Sequence, residues 1–394
     1  MSHIKIYALL GVGAILLLVT GFALNERVFL TRYLTYEGDP LALPLAWYAP
    51  LETVRGAQQD DLPIADGQDR RVPPDVLDSV TQYSAEQGSH SLIIVHNGVI
   101  QTEQYWGEAT RDTRFNPQSM SKVLVALLTG IAIDEGHIAS VDDPLSFYID
   151  EWRDDPRGRA TIQQTLWMTA GLEQLLTSYE VSPFGREGQY AFGDDYMAEV
   201  LDLKLKDAPG TTFEYNNDET NVLGLAIERA TGKRYADYLS EKLWQPLGLA
   251  DAALYVDHEG GTSFKHCCAF SRPYDWAKIG LLIANNGQWQ GYQIVSADWI
   301  NAMTTGSPLN KNYGYLMWLG SDYIRPGKSA PSGSGLPVAP EGYAADDMIV
   351  LLGLGEQRVW ISPSNKLVIV RGTRTWAPSW NETKIPNMIL RALY

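Results

Sequence analysis

Ser119 and Lys122 stand three residues apart in Ser119-Met120-Ser121-Lys122, a spacing that puts both side chains on one face of a helix. A serine hydroxyl becomes a useful nucleophile only when a neighbouring base takes its proton. A partly desolvated lysine whose pKa falls toward neutrality can be that base. Pro117 fixes the chain just before the pair, and residues 123–128 and 131–133 form an apolar run that stops at Gly136, as a buried helix with a glycine end would. Ser119 is therefore expected at a helix N-terminus, where free N–H groups and the dipole favour negative charge on the attacking oxygen. The same residues also fit a plain helix start, with Ser119 as N-cap and Lys122 on the surface of the first turn.

Tyr215-Asn216-Asn217 follows Pro209-Gly210-Thr211-Thr212-Phe213-Glu214 and precedes Leu223-Gly224-Leu225-Ala226-Ile227-Glu228. A Pro-Gly turn, a short polar loop and a helix would hold the tyrosine between rigid elements. A phenol there can relay a proton, and the Asn217 amide can bond both a lysine and a substrate carbonyl. A packed loop tyrosine followed by an Asx-turn asparagine fits the tripeptide as well.

With both motifs in place the chain resembles the serine hydrolases of the β-lactamase type, nearest to class C β-lactamases, their esterase relatives and the 6-aminohexanoate-dimer hydrolases. The resemblance runs in order over residues 75–394. It includes Val95-His96-Asn97-Gly98, Val141-Asp142-Asp143-Pro144-Leu145 with Tyr148, Trp167-Met168-Thr169-Ala170-Gly171-Leu172, Gln245-Pro246-Leu247-Gly248-Leu249, Tyr274-Asp275-Trp276-Ala277-Lys278-Ile279-Gly280 and Tyr313-Gly314-Tyr315-Leu316-Met317-Trp318. It implies an α+β fold of the β-lactamase/transpeptidase type: an antiparallel sheet flanked by helices, with a mostly helical subdomain and the active site where the two parts meet.

A third family motif, Lys-Thr-Gly or His-Thr-Gly, is absent. In its place stands Gly353-Leu354-Gly355-Glu356-Gln357, which looks like the Gly-x-x-Gly-Gln variant of the aminohexanoate-dimer hydrolase branch. Without the cation, strong recognition of a β-lactam carboxylate is not expected. An oxyanion hole needs only backbone N–H groups, and by analogy these would be those of Ser119 and Leu354. Gly353 and Gly355 also fit a tight strand-to-strand bend.

Other chemistries leave little trace. The six histidines lack metal-ligand spacing, no Gly-x-Ser-x-Gly elbow occurs, and no cofactor is required. Cys267 and Cys268 are adjacent, which strains a bond between them, and they read as small packed residues. A net charge of −16, from 47 acidic and 31 basic residues, argues against nucleic acid or anionic lipid as partners and fits neutral or cationic substrates better. Trp318, Trp376 and Trp380 fall near regions where the resemblance places the cleft.

The elements that must position these groups divide the chain into three. Residues 6–24 carry no charge and are long enough to cross a bilayer nearly at about 1.5 Å per residue. Residues 1–24 are thus expected as a membrane anchor, or as a signal segment cleaved from a secreted chain, with the catalytic unit outside the cytoplasm and periplasmic in a Gram-negative source. Residues 25–74 read as a lead-in linker, and 75–394 as one catalytic domain with strands near 92–95, 99–105, 359–361 and 367–370. The expected chemistry is ester or amide cleavage of a small molecule through a Ser119 acyl-enzyme, with Lys122 as base, Tyr215 as relay and Asn217 as orienter. A D-Ala peptide or β-lactam as substrate, or a sensor or scaffold without turnover, are the alternatives.

Overall fold

The structure, a computed structural model, describes residues 26–176, 181–320 and 341–394. Its first elements are helix α1 (Arg27–Thr35) and strand β1 (Leu51–Val54). The stretch read as a linker is thus built into the same body. Arg32 is 4% exposed, and a buried guanidinium must find acceptors. It donates to the carbonyls of Gly193, Val256 and Asp257 at 2.7, 3.1 and 2.8 Å.

Helix α2 (Pro74–Glu86) leads into the hairpin β2 (Ser89–His96) and β3 (Val99–Tyr105). Asn97 and Gly98 close it with φ of 51° and 78°, positive angles that a two-residue turn demands and that these residue types accept. Helix α3 (Lys122–Asp134) is buried from Lys122 to Ala132 and packs on α4 (Asn217–Thr231). Its apolar run needs cover on all sides, and the helical half of the molecule supplies it. Strands β4 (Ala252–Tyr255) and β5 (Ala269–Phe270) follow; β1 pairs antiparallel with β4, from Leu51 opposite Tyr255 to Val54 opposite Ala252.

Helix α5 (Pro273–Ala284) lies on the main sheet, completed by β6 (Trp318–Leu319), β7 (Ile349–Gly353), β8 (Gln357–Ser362) and β9 (Leu367–Thr373), and α6 (Lys384–Ala392) ends the chain against α2. The order across the six strands is β3-β2-β9-β8-β7-β6, antiparallel throughout. Helices and antiparallel sheet make an α+β protein, and the four expected strands lie within β2, β3, β8 and β9.

The membrane expectation is corrected. Residues 6–24 lie outside the described residues, and among those described no helix is long and apolar enough to cross a membrane. Helix α3, apolar as it is, has 13 residues, about 20 Å against the roughly 30 Å of a hydrocarbon core. The membrane anchor, and the location outside the cytoplasm that rested on it, are withdrawn.

Candidate active site

Ser119 does not cap α3. It stands in a 3-10 turn, Gln118–Ser121, that runs into α3 at Lys122. With three residues per turn, positions i and i+3 eclipse, and the Lys122 Nζ comes to 3.0 Å from the Ser119 Oγ. Gln118 takes φ 53°, a left-handed angle that costs on the order of 1 kcal/mol outside glycine. Asn116 holds it there by accepting the Gln118 N–H on Oδ1 at 2.9 Å.

Lys122 is 1% exposed, not the surface residue of a simple helix start. Its Nζ also donates to Asn217 Oδ1 at 2.7 Å and to the His266 carbonyl at 3.1 Å. Burial drives its pKa well below the ordinary lysine value, with the Asp218 charge pulling the other way. Burial in turn raises the Asp218 carboxyl, which accepts the Leu175 N–H at 2.8 Å. The His266 ring is held neutral, its pKa pushed well down by burial and by Lys122.

The tripeptide divides its duties. Asn216 caps α4, accepting the Asp218 N–H at 2.8 Å, so the Asx-turn reading holds for that residue. Asn217, the first residue of α4, reaches the lysine. The Tyr215 ring lies 4.9 Å from Lys122 Nζ, stacks on Trp318 at 5.7 Å between centroids and meets the edge of Tyr313 at 6.1 Å. A narrow cleft is lined by Ser119 and Tyr215 together with Tyr313, Trp318, Leu351 and Leu352. Lysine and asparagine stand behind it.

The third-motif region reaches the site from below. Strand β7 pairs with β6 only at Ile349 and Val350, so its edge from Leu351 onward packs against the turn that carries Ser119. A Cβ on Gly353 would lie 2.2 Å from the Pro117 carbonyl oxygen, so glycine is what lets strand and nucleophile turn meet. Gly355, at φ 71°, turns the chain, and a Cβ there would strike Leu41 at 2.4 Å. Leu354 begins the bend beyond β7 and is not in the cleft lining, where Leu351 and Leu352 are found instead. Arg358 donates to the Gly353 carbonyl at 3.0 Å and pairs with Glu382 at 2.8 Å, while Arg371 donates to the Glu356 carbonyl at 2.7 Å.

Of the three tryptophans, Trp318 enters the cleft. Trp380 instead stacks on Trp360 and under Arg371, and Trp376 is half-exposed away from the cleft. The cysteines correct the reading of two separate packed thiols: Cys267 and Cys268 are bonded to each other, with Cys268 at φ 68°. This pair directly follows His266, whose carbonyl receives the lysine. Sequence reasoning does not single out Asp218 or His266. An acid directly after Asn217 is a readable signal for the first, and nothing in sequence marks a carbonyl 144 residues from Lys122. No group of residues fit to hold a metal ion occurs among the described residues.

The Beta-lactamase family model matches residues 78–386, and the chain belongs to that family. It is 26% identical over 239 residues to the 6-aminohexanoate-dimer hydrolase of Paenarthrobacter ureafaciens, a match over 58% of this chain. The chain spans about 60% of that relative's length. A solved structure from Bacillus anthracis, provisionally named a 6-aminohexanoate-dimer hydrolase, superposes with a TM-score of 0.71 at 20% identity, covering 89% of this chain and 92% of that one. The penicillin binding protein from Bacillus halodurans gives 0.58 at 16%, covering 81% and 99%. Both structures carry the β-lactamase and penicillin-binding fold, and so does this chain.

Proposed function

We propose that the protein is a serine hydrolase that opens an ester or linear amide of a small molecule through an acyl-enzyme on Ser119. One observation carries this reading. Lys122 is buried, its Nζ is 3.0 Å from Ser119 Oγ, and its two other neighbours, Asn217 Oδ1 and the His266 carbonyl, are acceptors. A neutral amine has two hydrogens and one lone pair. Two oxygens that can only accept take the hydrogens, which leaves the lone pair for the serine proton.

Ser119 Oγ then bonds to the substrate carbonyl carbon while its proton passes to Lys122. Tyr215, whose ring faces the lysine, hands a proton to the departing alcohol or amine, and water later attacks the ester on Ser119 by the reverse relay. The oxyanion is assigned to the N–H of Ser119 and to the β7 edge at Leu351 and Leu352, in place of Leu354. Each such donor is worth on the order of 3 kcal/mol. The name of the Paenarthrobacter relative supports amide cleavage, and the lack of a third-motif cation favours this over β-lactam capture.

The test is intact-mass spectrometry of the full chain after treatment with a fluorophosphonate. One adduct on the parent chain and none on Ser119→Ala is expected, followed by multiple turnovers on nitrophenyl esters. A folded parent chain that takes no adduct would overturn the proposal.

A further inference from the structure

A second cavity, of about 360 Å³, borders the nucleophile turn at Gln118, within the size range of small-molecule sites. One wall is the lead-in segment with Leu41 and Leu43; the others include Phe115, Phe270, Arg114, Gln118 and Arg374. No carboxylate among the described residues lines it. Most of its polar groups are spoken for: Gln357 exchanges two hydrogen bonds with the Thr373 backbone, at 2.6 and 2.9 Å, and the Asn116 amide donates to Tyr48 Oη at 3.2 Å.

Three donors are not. Gln118 is 8% exposed, yet its Nε2 finds no partner among the described residues, where a buried amide N–H normally has one. Neither the half-buried Arg114 nor the exposed Arg374 has a hydrogen bond or ion pair from its side chain among the described residues. A cavity that pools unpaired N–H groups, two of them on charged forks, and holds no acidic side chain is built for oxygen atoms bearing negative charge. The apolar walls accept the carbon chain behind them. Gln118 lines this cavity and its neighbour Ser119 lines the cleft, so a group held here ends one residue from the nucleophile.

We propose that this cavity is an anion subsite in which Arg114, Arg374 and the Gln118 amide hold a carboxylate carried by the substrate on a short aliphatic chain. The inference rests on the hydrolase reading for the word substrate, but not for binding itself. It revises the expectation drawn from net charge: a whole-chain charge of −16 says nothing of the potential inside one cavity, which the nearest groups set. The neutral buried His90 fits the same picture, since the nearby Arg374 charge adds to burial in holding its pKa down to about 3.

The experiment has a binding arm and a turnover arm. Glutarate is titrated calorimetrically into the full chain, the Ser119→Ala variant and the Arg114→Gln/Arg374→Gln double variant, with glutaramide and inorganic phosphate as comparison probes. One glutarate site is expected in the first two proteins, weakened at least tenfold in the double variant and absent for glutaramide. The turnover arm compares nitrophenyl esters of glutaric and valeric acid. The ratio of their kcat/KM values should favour the carboxylated ester at least tenfold and collapse toward one in the double variant. Melting temperatures of the variants establish that they are folded, and single Arg114→Gln and Arg374→Gln variants replace the double one if it is not. Absence of glutarate binding, binding indifferent to the arginines, or phosphate bound in preference to glutarate would overturn the carboxylate subsite. Failure of Ser119 to react with fluorophosphonate while glutarate still binds would instead sink the hydrolase reading and leave the site standing.

Discussion

The two regions that meet at Ser119 are made in opposite ways. On the helical side, the proposed chemistry falls to side chains: Lys122, Asn217 and Tyr215 are placed by α3, α4 and the loop before it. On the sheet side, the proposed oxyanion contact falls to backbone: the β7 edge approaches because Gly353 has no side chain, and the bend behind it is fixed by Arg358 and Arg371 through carbonyl oxygens. The first kind of site tolerates no change of residue. The second tolerates a rewritten motif as long as the backbone stays where it is, so the proposed oxyanion site does not depend on a Lys-Thr-Gly cation.

Substitutions can break that contrast, and the largest effects belong to the side-chain half. Ser119→Ala should abolish fluorophosphonate labelling, and Lys122→Ala should lower ester kcat/KM by on the order of 10³-fold, the first read by mass spectrometry and the second by steady-state assay. Residual labelling of Ser119→Ala would place the nucleophile elsewhere. Tyr215→Phe keeps the ring against Trp318 and removes only the hydroxyl, so a loss of roughly 10²-fold in turnover with little change in melting temperature is expected. A comparable loss of stability would make the tyrosine a packing residue instead.

The acid limb of the rate profile sharpens the same comparison. Lys122 titrates in the folded chain well below its unfolded value of 10.5, so the unfolded chain binds the extra proton between those two values. Stability contributed by this group is therefore lowest at and below the folded pKa and rises as pH climbs toward 10.5. As the proposed base, Lys122 must be the neutral amine, so kcat/KM should fall about tenfold per pH unit below the folded pKa. A limb centred near 10.5 would overturn the burial-lowered amine, and a limb that persists in Lys122→Ala would remove lysine as the base.

The smallest expected effect tests the backbone half. Gly353→Ala puts a methyl group against the Pro117 carbonyl and should destabilise the protein by about 1–3 kcal/mol in urea unfolding, with KM and kcat both disturbed as the β7 edge is pushed off. Leu354→Ala, outside the cleft, should leave kcat within a few fold. Equal damage from both would mean that side-chain packing around the bend, and not the close approach at Gly353, sets the sheet side of the cleft.

This contrast also sets how much was legible in the sequence. The strands at 92–95, 99–105, 359–361 and 367–370 are written in residue types and spacings, and the Ser-x-x-Lys and Tyr-x-Asn groups come together around the Lys122 amine, with Ser119 in a 3-10 turn and not at the expected helix cap. What sequence hid is backbone and distance. The left-handed Gln118 carries no glycine to announce it, the His266 carbonyl is an atom every residue has, and the β7 register put Leu351 and Leu352, not Leu354, at the cleft. The cysteine bond went unread because adjacency suggested strain, and a backbone angle at Cys268 lies outside what spacing encodes. The lead-in looked like a tether because its breaks at Gly38, Pro40 and Pro73 mask a helix and a strand whose partners lie far along the chain.

That lead-in has a further meaning. Leu41 sits over the bend at Gly355 and forms one wall of the arginine cavity, and it lies before residue 78, where the stretch shared with the family begins. The proposed reacting centre lies within the stretch that the family model matches, while part of the wall of the second cavity is supplied by residues ahead of that stretch. If the subsite holds a substrate carboxylate as proposed, substitutions at Leu41 and Leu43 are the place to change the length of molecule it accepts without touching Ser119, Lys122 or Tyr215.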